Sequence, residues 1–379
     1  MQAAGIYIHI PFCRRKCLYC DFPSYEGLER FMEPYAAALE RELACRHGAL
    51  PGAVFDSVYI GGGTPTALPV TLLAGILEAT RALFPLAADA EITVEVNPGT
   101  ADAAAFAALA RAGVNRLSFG VQSFDDALLL RLGRIHTARQ AEESILAARQ
   151  AGFGNLSLDL MYGLPGQRSA DLERSVEQAL ALGLQHISVY GLQVEDGTPF
   201  AALRDAGKLA LPDEAEEDVM YTYLTETLPQ RGWRRYEISN YARAGFESRH
   251  NLKYWQDAPY LGFGAAAHSY AYPRRFANVA DVQAYIAFLK EGKLPVGEEK
   301  TLDRAEGMEE FCFLALRTAE GISFARFAAK FGCNFFAVYG HSIEGLQRDG
   351  FVEQDEKRLW LTPRGMRYGN RVFAAFLLK

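Results

Sequence analysis

Long apolar runs are missing from this chain of 379 residues, and that absence removes the first class of candidates. No stretch approaches the roughly eighteen consecutive apolar residues of a transmembrane helix. The opening apolar run is short and leads straight into Cys13, so no secretory signal is expected. Excess positive charge is missing too. Asp and Glu number 46 against 39 Lys and Arg, the net charge is −7, and broad nucleic-acid binding is not expected. Cysteine is scarce, with six in the chain, yet Cys13, Cys17 and Cys20 fall in one short stretch. Clustered thiols without a signal peptide indicate a reducing, cytoplasmic setting and metal binding rather than disulfides. Any membrane contact would be transient. Repeats and low-complexity tracts are also absent, and the alanine-rich stretch at 101–112 reads as a helix.

What is present is a chain half hydrophobic, long enough for a barrel plus an appendage. Strand-like runs at Gly5–Phe12, Ser57–Gly61, Glu91–Asn97, Arg116–Gln122, Asn155–Tyr162 and His186–Leu192 alternate with helical patterns near 31–47, 69–84, 102–112, 125–132, 137–151 and 169–183. Strand then helix, repeated six times, predicts an α/β fold with a parallel sheet of right-handed units. Six units fall short of the eight that close a barrel, so an open, three-quarter (β/α)6 barrel over 1–232 is expected. A doubly wound open sheet is the alternative. After a helix near 213–231 the alternation lapses, and 233–300 reads as an aromatic-rich region of loops and short strands, a helix near 279–291 and a polar linker at 292–303. Residues 301–379 read as three helices and a two-stranded wing, a winged-helix-like module.

Functional groups in such folds collect at the carboxyl ends of the strands. Strand one ends at the cysteine loop, strand two at Gly61-Gly62-Gly63-Thr64-Pro65-Thr66, and strand three carries Glu95 before Asn97-Pro98. Strand four ends Gly120-Val121-Gln122-Ser123, and strand five carries Asp159 before Tyr162-Gly163-Leu164-Pro165-Gly166. The glycine stretch is not a Walker loop, because no Gly-Lys-Ser/Thr follows. Buried structural thiols fit the C-x3-C-x2-C spacing poorly, since Arg14, Arg15 and Lys16 favour thiolates. Zinc, with His9 as fourth ligand, is a second reading. Soft thiolates at this spacing suit an iron–sulfur cluster better.

The cysteine loop after strand one, with Tyr19 just before Cys20, resembles that of the radical S-adenosylmethionine enzymes. The resemblance implies that Cys13, Cys17 and Cys20 hold a 4Fe–4S cluster whose fourth iron is chelated by S-adenosylmethionine, the source of a 5′-deoxyadenosyl radical. It implies that Gly63 and Thr64 hold the methionine amino group and that Tyr7, Tyr19, Glu95, Gln122, Arg134 and Asp159 line the rest of that site, with His268 closing it. The stretches around these residues resemble the oxygen-independent coproporphyrinogen oxidases and their relatives. The porphyrinogen-oxidising members carry a long arm before the cysteines and a further cysteine two positions after the third, where this chain has Phe22.

Cys20-Asp21-Phe22, Tyr236-Glu237-Ile238-Ser239-Asn240-Tyr241 and His250-Asn251-Leu252-Lys253-Tyr254-Trp255 instead resemble the HemW haem chaperones. In that group a His-Asn-x-x-Tyr-Trp motif is associated with haem binding. His250 is then the haem candidate, Tyr254 and Trp255 offer flat surface to a macrocycle, and Arg249 and Lys253 could meet propionates. The implied partners are haem as cargo, acceptor haemoproteins and an electron donor for the cluster. The implied rivals are a radical methylase or cyclopropanase and a porphyrinogen decarboxylase. The C-terminal module lacks a clear basic recognition helix and reads as a lid or docking module over the barrel mouth.

Overall fold

The computed structural model describes residues 3–378. Six parallel strands run in sequence order: β1 (Ala3–Ile10), β2 (Val54–Gly62), β3 (Leu86–Val96), β4 (Arg116–Gln122), β5 (Asn155–Tyr162) and β6 (His186–Gly191). Each strand alternates. Ile6, Ile8 and Ile10, Val58 and Ile60, Val94 and Val96, Leu117 and Phe119, and Leu158 and Leu160 belong to one apolar core shared with the surrounding helices. The residues between them include Tyr7, His9, Ser57, Tyr59, Thr93, Glu95, Arg116, Ser118, Ser157, Asp159, His186 and Ser188, so the opposite, concave face is polar. A face of that kind suits a site rather than a packed barrel interior.

Helices α1 (Met32–Arg46), α2 (Val70–Leu83), α3 (Ala103–Arg111), α5 (Ala138–Gln150) and α6 (Ser169–Ala181) cover the convex face, while Leu128 of the short α4 (Asp126–Arg131) joins a separate apolar cluster with Leu18, Tyr19 and Phe200. Local signals start them. Asp102 and Asp125 cap α3 and α4, and Thr137 with Gln140 forms a capping box on α5. In α5 the buried residues are Ala141, Ser144, Ile145 and Ala148, the i, i+3, i+4, i+7 stripe of a helix lying on a sheet.

The region after α7 (Pro199–Asp205) and α8 (Glu214–Gln230) adds to the expected loops and short strands in several places. The short antiparallel strands β7 (Arg234–Arg235) and β8 (Asn240–Ala242) extend the sheet beyond β6. His250 and its neighbours form helix α9 (Arg249–Trp255), capped by Ser248, rather than a loop. Strand β9 (Tyr260–Phe263) then pairs parallel with β1, adding a seventh parallel strand, and β10 (His268–Ala271) and β11 (Arg274–Asn278) follow antiparallel. The stretch read as a polar linker contains strand β12 (Val296–Thr301), paired with β11. Its six exposed residues carry no burial pattern, which is why it read as linker. A buried network holds this edge to the barrel. Tyr285 Oη and the Gly264 N–H donate to Glu42 Oε2 at 2.7 and 2.9 Å, and Asn278 Nδ2 donates to Oε1 at 2.8 Å.

The C-terminal residues build a second core around Phe311, Phe327, Phe331, Phe335 and Tyr339. Its sheet has three strands rather than two, because β13 (Ile322–Ser323) joins β14 (Val352–Gln354) and β15 (Arg358–Leu361). This module packs on α9 and the aromatic segment: Arg317 stacks on Trp255 at 4.7 Å, Lys330 pairs with Asp257, and the Ala319 N–H donates to the Tyr236 carbonyl at 2.9 Å.

Candidate functional site

The carboxyl ends of β1 to β5 converge on one cavity of about 130 Å³. Cys13, Cys17, Tyr19, Cys20, Gly63, Thr64, Glu95, Gln122, Arg134 and Asp159 all line it. Tyr7 and His268 do not. They line an adjoining cavity of about 410 Å³, which shares Phe22, Gly62 and Glu95 with the first. No residue of the C-terminal module lines either.

The three cysteines are free thiols. Among the described residues no three His, Cys, Asp or Glu side chains surround a point that one metal ion could occupy. The thiols border a cavity instead. His9, the fourth ligand in a zinc reading, has both ring nitrogens engaged, with Tyr7 Oη at 3.0 Å and the Pro23 carbonyl at 2.8 Å. It braces the cysteine loop from beneath. Burial raises the Cys13 and Cys20 thiols above their ordinary value, outweighing Lys16, whose ammonium is spent on the Phe22 carbonyl at 2.8 Å.

A chain of hydrogen bonds runs from one cysteine to another. Arg134 Nη1 donates to Cys17 Sγ at 3.4 Å and Nη2 to Asn97 Oδ1 at 2.8 Å. Asn97 Nδ2 donates to Thr64 Oγ1 at 2.6 Å, and Thr64 Oγ1 donates to Cys13 Sγ at 3.6 Å. Donors aimed at sulfur are one of the means by which a protein tunes an iron–sulfur cluster. Asn97 was not among the expected site residues; its place just after strand three was the available signal. Arg134 Nε, also buried, has no partner. Three thiols on one loop, sulfur-directed donors and an orphaned guanidinium nitrogen at the same cavity fit a cluster held at three corners beside a charged ligand.

The glycines also allow close packing of the turn. A Cβ on Gly63 would lie 2.8 Å from the Phe12 carbonyl and 3.1 Å from Cys13 Sγ, and one on Gly61 would strike the Glu95 carboxyl at 2.9 Å. They let the turn after β2 lie directly on the cysteine loop, where the Gly63 and Thr64 N–H groups each donate at 2.8 Å to the Ile10 and Phe12 carbonyls. Gln122 has φ of +71°, a costly conformation for a side-chain-bearing residue, at a register shift in β4. That shift sets its side chain at the mouth.

Two carboxyls face the cavity. Burial raises Glu95 to about 7, although Tyr59 Oη at 2.7 Å and the Gly62 N–H at 3.2 Å donate to it. Burial also raises Asp159, against the lowering effects of Ser188, Arg116 and Arg134. Burial raises the Tyr7 and Tyr19 hydroxyls well above their usual value, so both stay protonated donors.

His250 lies elsewhere. It is 1% exposed, at the amino-terminal end of the parallel strands beside Gly5 and Ser57. Nδ1 pairs with Ser57 Oγ at 3.0 Å and Nε2 with Tyr254 Oη at 2.9 Å. The ring stacks on Tyr59 at 5.2 Å, and burial, aided by Lys253 and Arg116, lowers its pKa to about 3. Lys253 pairs with Asp56 at 2.5 Å and Arg249 with Asp89 at 3.0 Å, so both expected propionate partners are already matched.

Residues 7–179 match the Radical SAM superfamily, and residues 302–368 match the HemN C-terminal domain. Fold and site together therefore define a radical S-adenosylmethionine partial barrel with an appended module. The solved coproporphyrinogen III oxidase HemN from Escherichia coli superposes with a TM-score of 0.87 at 23% identity, covering 99% of this chain and 90% of that one, and shares the fold. The "Heme chaperone HemW" of Bacillus subtilis is 41% identical over 372 residues, 98% of each chain. The mitochondrial "Radical S-adenosyl methionine domain-containing protein 1" of Bos taurus is 33% identical over 381 residues, 96% of this chain and 85% of that one. The chain belongs to the radical S-adenosylmethionine superfamily and, within it, to the HemW family. A 4Fe–4S cluster and S-adenosylmethionine, the pair expected from the cysteine loop, are the cofactors this membership implies.

Proposed function

We propose that this protein is a cytoplasmic haem carrier that binds haem and hands it to acceptor haemoproteins. The observation that carries the reading is the end-to-end likeness to the haem chaperone of Bacillus subtilis, 41% identity across 98% of both chains. Cys13, Cys17 and Cys20 would hold three irons of the cluster, and its open iron would take the methionine end of S-adenosylmethionine. Gly63 and Thr64 order the turn beside Cys13, while Arg134 and Asn97 fix Cys17. Glu95, Gln122, Asp159 and Tyr19 supply the polar wall for the cofactor's amino acid and ribose. When bound, the reduced cluster supplies an electron to the sulfonium, and an electron donor must recharge it. Among the described residues no helix is long and apolar enough to cross a membrane.

Phe22, 62% exposed at the rim, supports carriage over porphyrinogen oxidation, because it stands where the oxidising relatives have a further cysteine. The test is an anaerobic titration of the cluster-loaded protein with haemin, followed by mixing with an apo-haemoprotein. A saturable Soret shift and transfer of haem to the acceptor are expected. Absence of haem binding, or conversion of coproporphyrinogen to protoporphyrinogen, would sink the reading.

A further inference from the structure

The cysteine loop has a second face. Cys17 borders the cofactor cavity and also a narrow crevice lined by Arg14, Arg15, Gly133 and Ile135, which none of Tyr19, Glu95, Gln122 or Asp159 reaches. Thr64, Asn97 and Arg134 line both and form the partition between them. At about 10 Å³ the crevice has room for no more than a water, so it is an approach to the sulfur rather than a ligand pocket. Beside it, sharing Arg14 and Thr100, lies a hollow of about 390 Å³ between α2 and α3, with Leu68, Val70, Leu73 and Leu109 in its wall.

This face is cationic in a chain whose net charge is −7. Arg14 and Arg15 are exposed, and neither makes an ion pair among the described residues; Arg14 gives one long hydrogen bond, to the Gly99 carbonyl at 3.4 Å. The acidic residues of the same loop, Asp21 and Glu26, line neither the crevice nor the hollow, and the carboxyl that does, Asp102, is spent on capping α3. Apolar surface accompanies the charge. Ile135 is 47% exposed at the crevice, and Leu130, just before it on α4, is 75% exposed. Exposed aliphatic side chains beside unpaired arginines are the composition of a protein-binding surface.

We propose that this face docks an acidic one-electron carrier protein, with Arg14 and Arg15 meeting its carboxylates, Ile135 and Leu130 packing against it, and the electron entering the cluster on the Cys17 side. The proposal rests on Cys13, Cys17 and Cys20 holding the cluster, and adds to that reading the surface through which the cluster is reduced. S-adenosylmethionine takes the cavity side of the loop, so a donor of protein size is left with this one. The carrier is oxidised by one electron and the cluster reduced by it; no bond is made and no proton moves. Complementary charge of this kind speeds encounter and fixes orientation more than it adds affinity.

The test uses the full chain with its cluster reconstituted, mixed anaerobically with an acidic flavodoxin in its hydroquinone form, with a reduced acidic ferredoxin, or with dithionite, and followed by bleaching of the cluster. Arg14→Glu combined with Ile135→Glu should slow reduction by either carrier roughly tenfold at low ionic strength. The difference should shrink in high salt, because exposed charges are then screened. Binding of oxidised flavodoxin, in which no electron moves, should weaken in step, which a mere change of cluster potential would not produce. Reduction by dithionite and the iron and sulfide content should match the wild type. Unchanged carrier kinetics and binding in the variant, or a wild-type cluster that dithionite reduces and neither carrier does, would overturn the proposal. A wild-type chain that retains no cluster defeats the cluster reading itself.

Discussion

The two ends of the barrel differ in what their polar side chains face. At the floor, under α9, His250 has a partner for each nitrogen, Lys253 is paired with Asp56, and the Arg249 and His250 N–H groups donate to Glu91 at 3.2 Å. At the mouth, three thiols border open space, Arg134 keeps an orphaned nitrogen, Gln122 sits in a costly conformation, and His268 bonds to nothing among the described residues. Satisfied buried groups hold a fold together, whereas unsatisfied ones beside a cavity await something else. A motif residue is therefore placed by its hydrogen bonds rather than by its residue type.

Substitutions can break or sharpen that contrast. The largest effect is expected at the mouth: Cys17→Ala should abolish cluster retention, measured as iron and sulfide per chain, and with it reductive cleavage of S-adenosylmethionine. Its fold should survive, because the thiol packs against a cavity. The floor should behave in reverse. His250→Ala leaves Ser57 and Tyr254 without partners in a buried site and should cost about 3 kcal/mol in denaturant unfolding. Cluster content should persist wherever the protein remains folded. Arg134→Gln is expected to be milder. By removing a donor to Cys17 it should lower the cluster's reduction potential in a redox titration, and a KM effect for S-adenosylmethionine should accompany it.

A pH dependence follows from the same residue. His250 is held at about 3, against an ordinary value of 6.5. Below 6.5 the unfolded chain binds a proton that the folded site refuses until about 3. Its contribution to stability is thus full above 6.5 and is lost as pH falls through that window, by at most about 1.4 kcal/mol per pH unit. His250→Gln should flatten this part of the stability profile; an unchanged slope would mean that His250 titrates normally in the folded chain.

Much of the barrel was legible because each of its units repeats one pattern. The runs at Arg116–Gln122 and Asn155–Tyr162 match their strands residue for residue; the strand-end reading pointed to Thr64, Glu95, Gln122 and Asp159, the resemblance added Arg134, and all five line one cavity. What escaped was non-local. Strand β9 is four residues long and gains its place by pairing with β1 and β10, and β12 is exposed along its whole length. Asn97 stood at a strand end, but its bonds to Arg134 and Thr64, which bring it into the site, are long-range. His250 read as the haem candidate through the resemblance of His250-Asn251 and Tyr254-Trp255 to the haem chaperones, and only the positions of Ser57 and Tyr254 show both of its nitrogens engaged.

The most direct measurement is the haem spectrum of His250→Gln, taken beside its unfolding curve. If His250 acts through its bonds to Ser57 and Tyr254, the variant should be less stable yet still bind haem with the wild-type spectrum. Loss of the wild-type haem spectrum from a variant as stable as the wild type would contradict the account and return His250 to the iron.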